Sequence, residues 1–437
     1  MSHTSHPLQQ RIAAHLAPRL LCGQRVLVGL SGGLDSVVLL HCLHALAPRL
    51  GYTLEALHVH HGISPHAQAW ADACGALCAE LGVALQVRHV DVAPLLSQHG
   101  IEAAARSLRY AAYAASGAPY VALAHHADDQ AETLLLQLLR GAGLRGVAAM
   151  PLVREHDGLT LLRPLLEQPR SALLAYAQRQ GLHWVEDESN ADERYPRNFL
   201  RHRVLPLLAE RFPAWRETLG RSAQHFAEAS GLLDEIAQAD MPADGRLTVH
   251  ALRAVSAARA SNLLRYFLHV RGAPMPQTPQ LEQMLRQLCY AADNTSPCVR
   301  FGGWEMHRYR GEVYVMQTLP PFDQSLRIAW RGDATLYWPP LQRTLRFEWS
   351  TGQGISRMQL HAGEVTLRVR NGGETLRPHA QAARRTLKNL LQQHGVPPWQ
   401  RERLPLLFCG EQLVAVVGVA IDAAFQAGAD EEAVMVS

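Results

Sequence analysis

The sequence predicts an α/β fold: an N-terminal domain on a parallel sheet, then a mainly helical middle domain and a small α+β C-terminal domain. Three observations lead there. Over the first two hundred residues, apolar runs typical of buried strands alternate with stretches of helical period. The first run ends in a small-residue turn that opens a helix, Ser31-Gly32-Gly33-Leu34-Asp35-Ser36. The 437 residues exceed one ordinary core, so two or three domains are expected.

Strands are expected at 25–30, 53–60, 84–90 and 120–124, and helices at 36–47, 65–81, 101–115 and 128–140. Such alternation implies βαβ units, whose ligands sit at the carboxyl ends of the strands. That rule gathers the loops 31–36, 60–64 and 125–130 at one rim of a first domain spanning 1–215. Helical patterns at 204–239 and 249–290, followed by short strand-like runs within 298–317, place a middle domain at 216–330. The Pro- and Gly-bearing stretch 331–359 is expected as a linker or a domain edge. The last unit, 360–437, carries a strand at 365–369, a basic helix at 380–394 and an apolar run at 413–421.

Hydrophobic content of 48% and charged content of 19% describe a globular protein. The first ten residues are polar and His-rich with no signal core, and no apolar run approaches a membrane span. A cytoplasmic protein without a membrane partner is expected. Seven scattered cysteines fit reduced thiols better than a disulfide framework. The net charge of +3 does not announce nucleic acid. Arginine dominates the basic residues, and Lys388 is the sole lysine. Compositional bias explains that count, so placement carries more information. Arg368, Arg370, Arg377, Arg384, Arg385 and Lys388 cluster with only Glu374 opposing them, a footprint suited to tracking phosphates.

The turn at 31–36 carries the most chemistry. A strand, a glycine turn and a helix N-terminus make an anion site, because first-turn amides point outward and glycines let phosphate oxygens approach. The usual phosphate loop carries a lysine, and this one carries Asp35 instead. A carboxylate beside phosphates is tolerable only with a cation between them, which implies ATP together with Mg²⁺. The structural alternative is an ordinary strand–turn–helix with a capping serine.

Other segments add to that rim. His58-Val59-His60-His61-Gly62 ends the second strand and suits a polar lining of a nucleotide pocket better than a zinc site, since no third ligand has matching spacing. Glu102, Arg106 and Arg109 share a helix face, either as a solvated salt-bridged surface or with the arginines aimed at phosphates. In Ala124-His125-His126-Ala127-Asp128-Asp129-Gln130-Ala131-Glu132-Thr133 the acids can serve as caps, yet Asp129 and Glu132 share a face able to hold Mg²⁺ or a substrate ammonium. Arg140-Gly141-Ala142-Gly143 closes that helix. Residues 184–190 read as a polar loop leading to Arg197 and Arg201, four apart on one face and suited to a transferring phosphoryl centre.

Ser31 to Ser36 resembles the PP-loop of ATP pyrophosphatases, a superfamily that includes ammonia-using synthetases, tRNA thiolases and tRNA lysidine synthetases. The loop, the His-Val-His-His-Gly strand end, the 124–133 block, the Arg-Gly-Ala-Gly turn and the Asp-x-Ser-Asn…Arg-Asn-x-x-Arg segment, in order over 25–210, together resemble the bacterial tRNA(Ile)-lysidine synthetases. The C-terminal match is looser, around Gly372-Gly373-Glu374, Lys388 and Pro397-Pro398-Trp399, with Arg384-Arg385 where that family commonly has two lysines.

The resemblance implies an ATP-dependent ligase. The wobble cytidine of a tRNA(Ile) with a CAU anticodon would be adenylated at O2, and free L-lysine would then displace AMP. Ser31, Gly32, Gly33, Leu34, Asp35, Ser36 and His60 would bind ATP, with Asp35 on Mg²⁺. Asp129 and Glu132 would hold the lysine ammonium, and Asp35, Asp129, Glu132, Arg197 and Arg201 would carry the chemistry. Arg106, Arg109, Arg384, Arg385 and Lys388 would contact phosphate or tRNA. A homodimer is left open. Two rivals are a tRNA thiolase, for which Cys74 and Cys78 lack a second pair, and a non-catalytic RNA binder with a relict nucleotide fold.

Overall fold

The computed structural model describes residues 6–292, 295 and 297–437, with the side chains of 95–99 and Glu102 outside the description. It divides into two compact units, Met1–Leu233 and Asp234–Ser437.

The first unit opens with α1 (Pro7–Leu16), then alternates β1 (Arg25–Gly29), α2 (Leu34–Leu50), β2 (Thr53–His60), α3 (Ala67–Leu81), β3 (Ala84–His89), α4 (Ala93–Ala115), β4 (Tyr120–Ala122) and α5 (Ala127–Leu139). A short α6 (Leu144–Val147), a hairpin of β5 (Val153–His156) and β6 (Leu159–Leu162), and α7 (Arg170–Gln180) follow. The sheet order is β3-β2-β1-β4-β6-β5, parallel except for β5. The chain winds one way from β1 to β2 and β3 and the other way to β4 and β6. The end of β1 is therefore the switch point where ligands of such sheets bind.

The strand residues explain why β1 is central. Val26, Leu27 and Val28 are all fully buried, with Val26 and Val28 in the core beneath α1, α2 and α7 and Leu27 in the core beneath α4. A strand covered on both faces needs apolar residues at every position, so it reads as a run rather than an alternation. Each such side chain contributes on the order of 1.5–3 kcal/mol by leaving water. The helix expected at 101–115 begins where Gly100 breaks α4 with φ +72°.

Beyond α7, a 3₁₀ turn at Glu188–Ala191 precedes α8 (Pro196–Phe199), a π-helical turn at Leu200–Val204, α9 (Leu205–Arg211) and α10 (Trp215–Asp240). The helix read continuously over 204–239 is thus interrupted around Pro213.

In the second unit, α11 (Val249–Ala254), α12 (Ala257–Val270) and α13 (Thr278–Tyr290) pack on an antiparallel sheet of β7 (Cys298–Phe301), β8 (Trp304–Tyr309) and β9 (Glu312–Gln317). The remainder is β-rich. β10 (Arg327–Ala329), β11 (Thr335–Trp338), β12 (Arg343–Thr351), β13 (Ile355–Ser356), α14 (Arg357–Leu360), β14 (Val365–Arg368), β15 (Thr375–Leu376), β16 (Arg385–Thr386), α15 (Leu387–Gln393), α16 (Pro398–Arg401), β17 (Leu406–Cys409), β18 (Gln412–Val416), β19 (Ala420–Ile421) and β20 (Glu432–Val436) follow in order. β12 pairs with β20, and β10 pairs with β14. The stretch 331–359 is therefore woven into the C-terminal sheets and is no linker.

The helix expected at 380–394 is corrected to Leu387–Gln393, capped by the Thr386 side chain. Arg385 lies instead on β16, paired to β15. No helix among the described residues is long and apolar enough to cross a membrane.

Candidate active site

The loop after β1 is held by its own small side chains. Ser36 Oγ donates to Gly33 O at 2.9 Å and accepts from Ser31 N at 3.2 Å. Ser31 Oγ accepts from Gly33 N at 3.3 Å. Gly32 has φ +88°, and a Cβ there would press on Val185 and Cys74. Glycine is needed both for the backbone angle and for the space. Gly33 caps α2 without a side-chain hydrogen bond, so the first-turn amides keep no intrahelical acceptor and face the switch point. Asp35 stands in that turn, and its Oδ1 is buried without a hydrogen-bond partner. A buried carboxylate oxygen beside open amides fits a cation held against phosphates.

His126 begins the second element of the site. Its ring is the N-cap of α5 and accepts from Asp129 N, while Asp129 Oδ2 accepts from His126 N at 3.0 Å. The sequence left capping and function as alternatives for Asp129, and this carboxylate takes both positions: Oδ2 closes the capping box and Oδ1 faces the arginines. His126 Nε2 lies 3.6 Å from Asp35 Oδ2 and 3.4 Å from Asp129 Oδ2, so one imidazole links the loop carboxylate to α5. Burial works against its charge, but Asp129, Asp35 and Asp128 together raise its pKa above the ordinary value. Protonation would trade the long 3.4 Å bond from Asp129 N for Asp128 Oδ2, which lies 3.7 Å from Nδ1. Burial alone would raise Asp129, yet His126 and Arg197 outweigh it and hold its pKa below the usual carboxylate value.

Glu132, fully buried, lies one turn along α5. Arg201 grips it with Nε 2.7 Å from Oε1 and Nη2 2.9 Å from Oε2. Arg197 reaches Glu132 Oε2 and Asp129 Oδ1, each at 2.7 Å. The expected shared face of Arg197 and Arg201 is thus realised across α8 and the π-helical turn. Asn198 explains the segment before it: its amide donates to Ser189 O and Asp192 O, both at 2.9 Å, tying the polar loop to the arginine-bearing helix. Asp187 accepts from Ser189 N at 2.9 Å.

Four further residues belong to this cluster beyond the site residues expected from the sequence: His126 and Asp128, which the sequence reading placed in the 124–133 block without a role of their own, and Arg170 and Arg216. Arg170 Nε lies 3.7 Å from Asp35 Oδ1, and Arg216 Nε donates to Asp128 Oδ1 at 2.6 Å. The two histidines of the 124–133 block were a signal for His126. Arg170 and Arg216 are isolated in sequence and carried none.

Other candidates stand apart from the carboxylate–arginine cluster. The His60 ring lies against that of His89, tilted by 39° with centroids 4.5 Å apart. His58 Nδ1 lies 2.9 Å from Leu30 O and supports the end of β1. Arg106 donates to the Tyr110 hydroxyl at 3.0 Å, and the Glu102 side chain lies outside the described residues. Arg109 sits close enough to His61 to help burial push its pKa to about 4. Cys74 and Cys78 are both buried, which does not suit a sulfur relay.

In the C-terminal unit Arg384, Arg385 and Lys388 are exposed. Two members of the basic run, Arg368 and Arg370, are more neutralised than the sequence suggested. Arg368 pairs with Glu411 at 2.8 Å and Arg370 with Glu374 at 3.7 Å.

A glycine turn with a carboxylate-bearing helix start, at the switch point of a parallel sheet, defines a PP-loop nucleotide-binding domain. Residues 4–208 match the PP-loop domain family, 247–314 the TilS substrate binding domain and 365–437 the TilS substrate C-terminal domain. The tRNA(Ile)-lysidine synthase of Nitrosomonas europaea is 44% identical over 92% of this chain and 89% of its own length. Those of Coxiella burnetii and an Azoarcus species are 38% and 41% identical, over 92% and 96% of this chain and 91% of each relative. The chain belongs to the tRNA(Ile)-lysidine synthase family.

Proposed function

We propose that the chain joins free L-lysine to C2 of the wobble cytidine of a tRNA(Ile) with a CAU anticodon, giving lysidine, AMP and pyrophosphate. As a member of its family it is a tRNA-modifying ligase that forms a C–N bond and uses ATP. O2 of cytidine is a poor leaving group. Adenylation at the α-phosphate makes it a good one, and the ε-amine then attacks C2.

The observation that carries the assignment of residues is the interleaving of the Asp129–Glu132 carboxylates with Arg197 and Arg201 beside the phosphate loop. A free amino acid brings both an ammonium and a carboxylate, and alternating fixed charges suit such a zwitterion. Asp129 and Glu132 would take the lysine ammonium. Arg197 and Arg201 would neutralise charge on the α-phosphate or hold the lysine carboxylate. The amides from Leu34 to Ser36 would cradle the phosphates, and Asp35 would hold Mg²⁺ through Oδ1, which no hydrogen bond occupies. Bound there, Mg²⁺ neutralises phosphate charge. His126 would set the spacing of Asp35 and Asp129.

Residues 216–330 would bind the tRNA substrate, and 360–437 would add tRNA affinity through Arg384, Arg385 and Lys388. Arg106 and Arg109 would contact phosphate or tRNA.

The test is tRNA-dependent ATP–pyrophosphate exchange, followed by incorporation of radiolabelled lysine into CAU-anticodon tRNA(Ile). Exchange that requires tRNA and label that stays in the tRNA support lysidine synthesis. Exchange without label transfer supports another PP-loop modification. No exchange supports a binder.

A further inference from the structure

We propose that Cys298, Glu305 and His307 form a binding site for one Zn²⁺ ion on the sheet of β7 and β8. The strand register builds the group. Cys298 is the cross-strand partner of His307, and Glu305 lies two residues before His307 on the same strand. Side chains two apart on a strand, and directly opposed across a pair, share one face. A thiol, an imidazole and a carboxylate therefore converge, with one ligand atom from each within 4.8 Å of the others.

The separations suit a tetrahedral ion. His307 Nε2 lies 3.1 Å from Glu305 Oε2 and 3.8 Å from Cys298 Sγ. Zinc bonds of about 2.3 Å to sulfur and about 2.0–2.1 Å to nitrogen and oxygen put neighbouring ligand atoms roughly 3.3–3.6 Å apart. Small side-chain rotations bring all three onto one ion. The ligands are also supported from behind. Arg300 Nε holds the other Glu305 oxygen at 3.0 Å, and the buried His307 ring stacks on Trp399 with centroids 4.1 Å apart. Partners of this kind fix the orientation of metal-binding side chains. Sulfur and nitrogen donors favour zinc over Mg²⁺ or Ca²⁺.

Binding would displace the thiol proton to solvent and leave a fourth position for water. It would also pin β7 to β8 and steady the His307–Trp399 stack that joins β8 to α16. A plain Arg300–Glu305–His307 ion-pair network accounts for Glu305 and His307, and leaves the thiol only a long 3.8 Å contact with His307 Nε2.

The experiment is titration of the full chain, stripped with chelator, with Co²⁺ as a spectroscopic probe and Zn²⁺ as competitor. One equivalent of Co²⁺ should give a thiolate-to-cobalt charge-transfer band, and Zn²⁺ should abolish it. Cys298→Ser should remove the band and weaken binding by about tenfold or more. Cys298 is exposed, so that variant should keep the wild-type circular dichroism spectrum. Glu305→Gln should weaken binding and keep the band. Cys22→Ser, at the other exposed thiol, should change nothing. No charge-transfer band in the wild-type chain, or the same band in Cys298→Ser, would overturn the proposal.

Discussion

Arg197 Nε donates to Glu132 Oε2 at 2.7 Å, and Glu132 is completely buried where they meet. A carboxylate without water must be paired, because an isolated buried charge is costly. The arginine supplies that pairing from a helix tied to a polar loop by Asn198. The pair also occupies ground that a substrate ammonium would need. Lysine must therefore join the network by sharing the carboxylates or by shifting the guanidinium groups.

Glu132→Gln and Asp129→Asn should raise the lysine requirement more than the ATP requirement. Each amide keeps the shape and loses the charge that attracts an ammonium. KM for lysine should rise by about tenfold or more, while KM for ATP changes less than about threefold, on the order of the energy of one charge-assisted hydrogen bond. Effects confined to ATP affinity would move these carboxylates to the metal. Glu132→Ala should also lower stability by about 1–3 kcal/mol, since the two mostly buried guanidinium groups lose Glu132 and keep only Asp129 as a carboxylate partner.

Asp35→Asn should abolish adenylation while the fold survives. The Asp35 side chain is partly exposed, so the variant should fold and keep the wild-type circular dichroism spectrum. Pyrophosphate exchange should fall by about 10²-fold or more, the usual loss when a fixed charge at a reacting phosphate is removed. Wild-type exchange in the folded variant would show that the loop carboxylate is not needed.

His125 and His126 are adjacent, yet their pKa values move in opposite directions. Burial, helped by Arg163 and Arg106 and opposed by Asp129, pushes His125 from 6.5 to about 3. The unfolded chain then binds a proton below pH 6.5 that the folded chain refuses, so stability falls as pH drops from 6.5 toward 3. His126 is raised above 6.5, so its contribution is complete below that value and is lost as pH rises through its folded pKa. His125→Asn should therefore remove acid sensitivity, by at most about 2 kcal/mol between pH 7 and pH 5. His126→Asn should flatten the loss on the alkaline side. Urea unfolding at about pH 5, 7 and 8.5 separates the two, and curves parallel to the wild type in both windows would reject both assignments.

Much of this was legible in the sequence because the physics was local. β1, the glycine turn and the spacing of Asp129 and Glu132 each rest on neighbours within a few residues. Features set by distant partners were not legible. The hairpin of β5 and β6 in 153–162 escapes the sequence reading, although Asp157-Gly158 carries the positive φ values of a tight two-residue turn. His126 is an uncommon cap, and its approach to both Asp35 and Asp129 gives it a role at the site. The helix expected over 380–394 runs too long because nothing in 380–386 forbids a helix, whereas the β15–β16 pairing claims Arg385 and Thr386. The pairing of 331–359 with β20 is long-range and leaves no local mark.

The exposed basic residues before and within α15 should contribute tRNA affinity and no chemistry. Lys388 and Arg384 are exposed, with Arg384 donating to Thr375 Oγ1 at 3.4 Å, and Arg385 reaches Gln393 at 2.6 Å. Arg384 has Asp422 at 4.0 Å as a distant counter-charge, whereas Arg368 and Arg370 are paired more closely. Arg384, Arg385 and Lys388 can thus meet phosphates, a smaller set than the sequence run suggested. Exposed charges of this kind add little to folding, so Arg384, Arg385 and Lys388 replaced together by Ala should keep the wild-type melt. The same variant should bind tRNA several-fold more weakly, and its log–log salt slope should flatten by about one unit for each phosphate that is no longer neutralised. Turnover at saturating tRNA should fall far less than affinity. Filter binding across a salt series measures affinity and slope together. Unchanged affinity with an unchanged slope would place the RNA elsewhere and leave this cluster as solvated surface.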